Sequence, residues 1–219
     1  NFEIVVCHVN HMIRQEAIQD EEYVLDFCKK YNIECFVKRI EVEKIAKQEK
    51  ISTEEAGRNA RYDFFNEILE KTGSNKIATA HTANDNAETV LMNIIRGSGT
   101  AGIKGIEAKR DNLIRPLIEC SREEIEEYCK INNLEPRIDK TNFENIYTRN
   151  KVRNMLIPYI KENFNPNIIE TINRLSELSK QENEYLEKET EKIYNNILIS
   201  AKNDEIILDL NLFNLQETV

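Results

Sequence analysis

Lys76 to Leu91 reads KIATAHTANDNAETVL, and its change of character at His81 decides the fold. Lys76 to Ala80 is a short run with the residue types of a strand. From His81 to Thr89 (HTANDNAET) polar side chains crowd together, and the chain then continues at helical spacing. A strand that breaks at a polar turn and re-enters as a helix is the joint of a parallel sheet with helices on its faces. In such sheets ligands collect at the carboxyl ends of the strands, where helix N-termini present unpaired N–H groups. His81 to Thr89 occupies that place.

Other strands are predicted on either side, at Phe2 to Val6 (FEIVV), Glu34 to Val42 (ECFVKRIEV) and Leu113 to Leu117 (LIRPL). Helices fall between them. Ala17 to Tyr31 brings Ile18, Tyr23, Phe27 and Cys28 within reach of one face, and Ser52 opens a helix towards Leu69 with the capping-box spacing Ser52 to Glu55. The alternation predicts an α/β fold with a doubly wound, mostly parallel sheet, followed by a helical region. Beyond Arg122 helical spacing recurs at Glu123 to Ile131, Asn150 to Asn163 and Ile168 to Leu198. The last stretch carries seven acids and four bases between Glu170 and Lys192, the pattern of a solvated face or a connector. Glu205 to Phe213 (EIILDLNLF) alternates like a strand. Phe164, Asn165 and Pro166 mark a boundary, dividing an α/β domain, 1–164, from a connector and the start of another domain, 165–219.

Composition narrows the class. The 219 residues are 40% hydrophobic and 32% charged, with 6 glycines and 4 prolines, which excludes disordered, collagen-like and membrane-spanning chains. Net charge is −9, so contact with nucleic acid must come from a local basic patch. Five cysteines stand singly at 7, 28, 35, 120 and 129 without a CxxC pair, which fits reduced thiols in a cytoplasmic protein. The chain opens at Asn1 directly into an apolar run and reads as a piece of a longer protein.

Several residues could carry chemistry. Asp85 and Glu88 are three apart and share a face of the helix after His81, where two carboxylates could hold an ammonium group. The alternative is that Asn84 or Asp85 caps the helix and Glu88 complements its dipole. Gly97, Gly99, Gly102 and Gly105 lie within nine residues and either admit a phosphate or base to the backbone or serve as a C-cap and connector. His8 and His11 extend from the first strand without an evident third ligand, so no metal site is expected. Arg58 and Arg61 share a helix and either face solvent or reach an anion. Arg137 to Lys161 holds six bases and two acids, and Tyr147, Thr148, Arg149, Asn150, Lys151 and Arg153 form the most credible phosphate-backbone footprint.

Taken together, these blocks resemble the tRNA(Ile)-lysidine synthetase family of PP-loop ATP pyrophosphatases. The resemblance is carried by His8-Val9-Asn10-His11 with Arg14, by Glu54 to Tyr62 (EEAGRNARY), by His81 to Leu91, by Ile95-Arg96-Gly97-Ser98-Gly99, by Ile114-Arg115-Pro116-Leu117, and by Asp139 to Pro158. They occur in the family's order over about residues 5 to 166. Thr82 and Asn84 stand where many members have histidine and aspartate. The family's pyrophosphate loop, Ser-Gly-Gly-x-Asp-Ser, is not in the sequence; family topology puts it just before Asn1, and the piece alone is expected to be inactive.

The resemblance implies a ligase that joins L-lysine to the wobble cytidine of a tRNA(Ile) with a CAU anticodon, through an adenylated cytidine and with ATP and Mg2+. It implies that Asp85, Glu88 and Arg61 hold lysine or assist its attack. His8, Asn10, His11, His81, Gly97 and Gly99 would line the nucleotide site, and Asn142, Thr148, Arg149 and Arg153 would contact tRNA. A homodimer is allowed but not specified. Two other readings stay open: a related PP-loop enzyme that thiolates tRNA, for which paired cysteines are wanting, and a nonenzymatic nucleotide- or RNA-binding domain.

Overall fold

The computed structural model describes residues 2–14, 16–137, 144, 147–202 and 205–213. Along the chain run β1 (Val5–Asn10), α1 (Ala17–Lys30), β2 (Glu34–Arg39), α2 (Val42–Glu49), α3 (Thr53–Thr72), β3 (Ile77–Ala78), α4 (Ala83–Ile95), α5 (Thr100–Ile103), β4 (Lys109–Arg110) and β5 (Leu113–Ile114). There follow α6 (Arg122–Ile131), α7 (Thr148–Lys151), a π-helical turn (Val152–Leu156), α8 (Ile157–Asn163), α9 (Ile168–Ile197), β6 (Leu198–Lys202), β7 (Glu205–Leu208) and α10 (Leu210–Phe213). Two compact units result: Asn1–Thr79 with Lys109–Ile114, and Ala80–Ala108 with Arg115–Val219.

The first unit holds the parallel strands. β1 pairs with β2 in parallel, with Cys7 opposite Phe36 and Val9 opposite Lys38. β3 pairs with β5 in parallel, and β4 adds to β5 antiparallel. The first strand lies further along than the apolar run predicts: Phe2 and Ile4 are exposed, and pairing continues through Cys7, His8 and Val9 to Asn10. Polar side chains can extend a strand when its end is hydrogen-bonded, and Asn10 is. β2 stops at Arg39, three residues before the predicted end, because Val42 turns inward to start α2. Val42, Ala46 and Ala56 form a buried cluster joining α2 to α3. Ser52 caps α3 as its spacing requires, its hydroxyl accepting the Glu55 N–H at 3.1 Å.

The second unit is mainly helical. Ala87, Val90, Val152, Ile157, Ile169 and Ile172 make its core, so α4, the π turn and the first half of α9 bury one another's apolar faces. The predicted boundary at 164–166 coincides with the break between α8 and α9, while the compact units divide at other points. Asn86, buried on α4, donates to Asn173 Oδ1 on α9 at 2.9 Å and accepts the Ile106 N–H at 2.6 Å. Gly105 passes so close, at φ +67°, that a Cβ there would overlap Asn86 Oδ1 and lie 2.7 Å from Ser176 Oγ. The final alternation splits after Leu208: Asp209 Oδ1 accepts the Asn211 and Leu212 N–H groups, which ends β7 and starts α10. β6 and β7 pair as an antiparallel hairpin. Among the described residues no helix is long and apolar enough to cross a membrane.

Candidate active site

Thr82 is the residue that starts α4, in place of Asn84 or Asp85. Its hydroxyl accepts the Asp85 N–H at 3.3 Å, while Asp85 Oδ2 accepts the Thr82 N–H at 2.9 Å, a reciprocal capping box. Asn84 instead faces outward to accept the Arg122 N–H at the start of α6. With Thr82 as cap, Asp85 and Glu88 share one face of the first turns, as their spacing requires.

That face meets Arg149 and Arg153, four apart on α7 and the π turn. Arg149 Nε lies 2.9 Å from Glu88 Oε2, and Arg153 Nε 2.6 Å from Glu88 Oε1. Both Nη2 atoms sit 3.1 Å from Asp85 Oδ1. Two carboxylates and two guanidinium groups therefore interlock, with no net charge. Val152 and Ile157, buried beside Ala87 and Val90, hold the arginine-bearing segment against α4. Glu88 is 2% exposed, a burial a carboxylate tolerates only when several charged donors face it. Burial pushes the Asp85 carboxyl up, yet the Thr82 N–H, the Arg149 charge, the Thr82 hydroxyl and Arg153 together hold it below the ordinary value. Hydrogen bonding to Glu88 raises Arg153. The cluster can present Asp85, the more open acid, to a cationic group and its guanidinium edges to an anionic one.

The structure thus brings Asp85, Glu88, Arg149 and Arg153 into one constellation, where the sequence separates them into a lysine pocket and an RNA footprint. Thr148 is exposed at the start of α7, and Asn142 lies outside the described residues. His81 precedes the Thr82 cap in the same unit and is half-buried. Gly97, at φ +77°, closes α4, its N–H donating to the Ile94 carbonyl and that of Ser98 to the Asn93 carbonyl. Gly99 leads into α5 with open space where a side chain would stand.

The remaining predicted residues belong to the first unit. His8 and Asn10 lie within β1, and His11 follows it. Asn10 is buried; its amide donates to Glu21 Oε2 at 2.9 Å and its oxygen accepts the Met12 N–H at 3.0 Å. Glu21, on α1, receives Arg39 from the end of β2 through Nε at 3.0 Å and Nη2 at 2.8 Å. Hydrogen bonding to Arg39 lowers the Glu21 carboxyl against the opposing effect of burial. Arg61 Nη2 approaches His11 Nε2 at 3.2 Å, so that nitrogen, facing a donor with no lone pair, accepts. Burial, Arg61 and His8 all hold His11 below the ordinary histidine value. Gly57 on α3 faces this ring, and a notional Cβ there would lie at ordinary contact distances of 3.4 and 3.5 Å from it. Sequence reading missed Glu21 and Arg39, which lie in no motif. Among the described residues no set of three His, Cys, Asp or Glu side chains is placed to hold a metal ion. Burial, with Cys28 and Cys7 nearby, pushes the Cys35 thiol up to about 12.

A profile of the PP-loop domain family matches residues 1–160. The tRNA(Ile)-lysidine synthase of Clostridium perfringens (strain ATCC 13124) is 48% identical over 221 residues, covering 100% of this chain and 47% of that protein. Its namesake in Clostridium acetobutylicum is 57% identical over 190 residues, 86% of this chain and 41% of the relative. The chain spans about half the length of the curated relatives it matches. Among solved structures, the U34-tRNA thiolase NcsA from Methanococcus maripaludis, with its 4Fe–4S cluster, superposes with a TM-score of 0.62 at 19% identity, covering 80% of this chain and 62% of that one. That likeness is one of fold.

Proposed function

The chain belongs to the PP-loop family, whose domains use ATP, and we propose that it forms the ATP-dependent part of a tRNA(Ile)-lysidine synthase working in the cytoplasm. The observation that carries this reading is sustained identity, 57% over 190 residues in one relative of that name. In the reaction, the cytidine C2 oxygen attacks the ATP α-phosphate and releases pyrophosphate. The ε-amine of L-lysine then attacks C2 and displaces AMP. The nucleic-acid partner is a tRNA(Ile) with a CAU anticodon.

The geometry suits an amino acid that carries both charges. Asp85, with 20% of its side chain exposed and its carboxyl held below the ordinary value, would take a lysine ammonium and assist removal of its proton as the amine attacks. Glu88 and the two arginines act through Asp85: they fix its carboxylate. Arg149, with 34% of its side chain exposed, is the guanidinium best placed to meet a carboxylate or phosphate. In the first unit, Arg61 is assigned to an anionic group of the substrates, and His8, Asn10 and His11 at the end of β1 to the nucleotide. Mg2+ would arrive on the ATP phosphates; among the described residues no three-ligand set is placed for it.

The test is a ligation assay with the full-length protein from its native gene, ATP, radiolabelled lysine and a tRNA(Ile) transcript bearing CAU. Lysine should enter the tRNA with one AMP and one pyrophosphate released per lysine. ATP consumption without lysine incorporation would overturn the assignment.

A further inference from the structure

Ile114-Arg115-Pro116-Leu117 has no function in the account above, yet Arg115 is the most unusual charge in the second unit. It is 7% exposed. Its Nη1 donates to the Glu107 carbonyl oxygen, and its Nε is buried without a partner. Among the described residues no carboxylate lies within ion-pair distance of it, and no protein acceptor faces Nη2, which unlike Nε is not fully buried. A guanidinium stays protonated at every working pH, so a buried one cannot shed its charge and one neutral carbonyl offsets little of its desolvation. Arg149 and Arg153 in the same unit show the usual remedy, two carboxylates apiece. Arg115 lacks it.

The free edge is informative. With Nη1 engaged, Nε and Nη2 remain as parallel donors, the fork that receives two oxygens of one oxyanion. Arg115 also directly follows β5, and positions just past strand ends are where ligands of α/β folds gather. We propose that Arg115 is an anion-binding residue whose counter-ion is a phosphoryl group of a bound substrate, either the nucleotide or the RNA backbone. The proposal of an anion rests on the burial of Nε without a partner and on the absence of a carboxylate; its identity as a phosphoryl group rests on the ATP- and tRNA-using reading.

Full-length protein labelled with nitrogen-15 offers a direct view, because the Arg115 Nε–H resonance can be assigned by its loss in Arg115→Lys. It should shift on titration with pyrophosphate, and with whichever of ATP or tRNA supplies the phosphoryl group. Arg115→Gln keeps a donor for the Glu107 carbonyl but removes the charge. It should weaken binding of that same ligand by about tenfold or more. If the ligand is tRNA, the salt dependence should also flatten by about one counterion. A shift with pyrophosphate in a protein that binds neither ATP nor tRNA keeps the anion site and removes the functional reading. An Nε–H resonance unmoved by all three, in wild-type protein that binds ATP and tRNA, overturns the proposal and leaves Arg115 as a prop for the loop at Glu107.

Discussion

Glu21 and Glu88 are both buried carboxylates bonded to arginine, and they solve the same problem differently. Glu21 draws on neighbours: Asn10 lies 11 residues away and Arg39 18. Arg39 keeps 58% of its side chain in water, so only one charge of that pair is desolvated. Glu88 draws on Arg149 and Arg153, 61 and 65 residues away, and Arg153 is itself only 15% exposed. The first arrangement fastens α1 to the strands of its own unit. The second fixes a distant helix against α4 and desolvates charges of both signs. A protein spends burial of that kind where geometry must be held, and here it holds Asp85.

The contrast can be broken by mutation. Glu88→Ala should cost about 3–5 kcal/mol in denaturant unfolding, because two partly buried guanidinium groups are left with Asp85 alone. Glu21→Ala should cost clearly less, since Arg39 is already solvated. Equal losses would mean that exposure of the partner arginine is irrelevant. Whether α4 is held by charge alone can be tested on its other face. Gly105→Ala should destabilise by about 1–3 kcal/mol, the cost of driving a methyl group into packed neighbours, here Asn86 and Ser176. Unchanged stability would remove that clamp.

Acid sharpens the comparison with smaller effects. His11 is held below its ordinary value, so the unfolded chain takes up a proton first. Its contribution to stability is complete above the ordinary histidine value of about 6.5 and is lost as pH falls below it. Asp85 is also lowered; its contribution is complete above the ordinary carboxylate value of about 3.9 and is lost as pH falls through the folded value. Hydrogen exchange resolved by segment should therefore show β1 weakening between about pH 7 and 5, with α4 unaffected until near pH 4. Burial also holds His8, within β1, below the ordinary value, so His11→Gln should reduce the earlier loss and the double replacement of His8 and His11 by Gln should abolish it. Simultaneous weakening of both segments would contradict these assignments.

How much of this is legible in the sequence depends on the range of the interaction. The Ser52 cap, the break at His81 and the span of α9 are written in local spacing, because each is decided within a turn or two. Val42 falls within the predicted strand because Glu34 to Val42 is rich in β-branched residues, and only its burial against Ala46 and Ala56 reveals a helix. Asp209 hides inside an apolar run and stops it by hydrogen bonding. The pairing of Asp85 and Glu88 with Arg149 and Arg153 was illegible for another reason: nothing in two separate motifs states that they meet. Arg115 stands in the sequence within Ile114 to Leu117, but its burial without a counter-ion exists only in three dimensions.

We propose that the cluster on α4 holds Asp85 ready for a lysine ammonium, and Asp85→Asn in the full-length protein is the sharpest test. A charge-assisted hydrogen bond contributes about 1.5–3 kcal/mol, or roughly tenfold to a hundredfold in affinity. The substitution should raise the KM for lysine by about that factor, while adenylation of tRNA, followed as pyrophosphate release without lysine, continues. An unchanged lysine KM together with a lowered Tm would contradict this and leave Asp85 only as the partner of Thr82 in the capping box of α4.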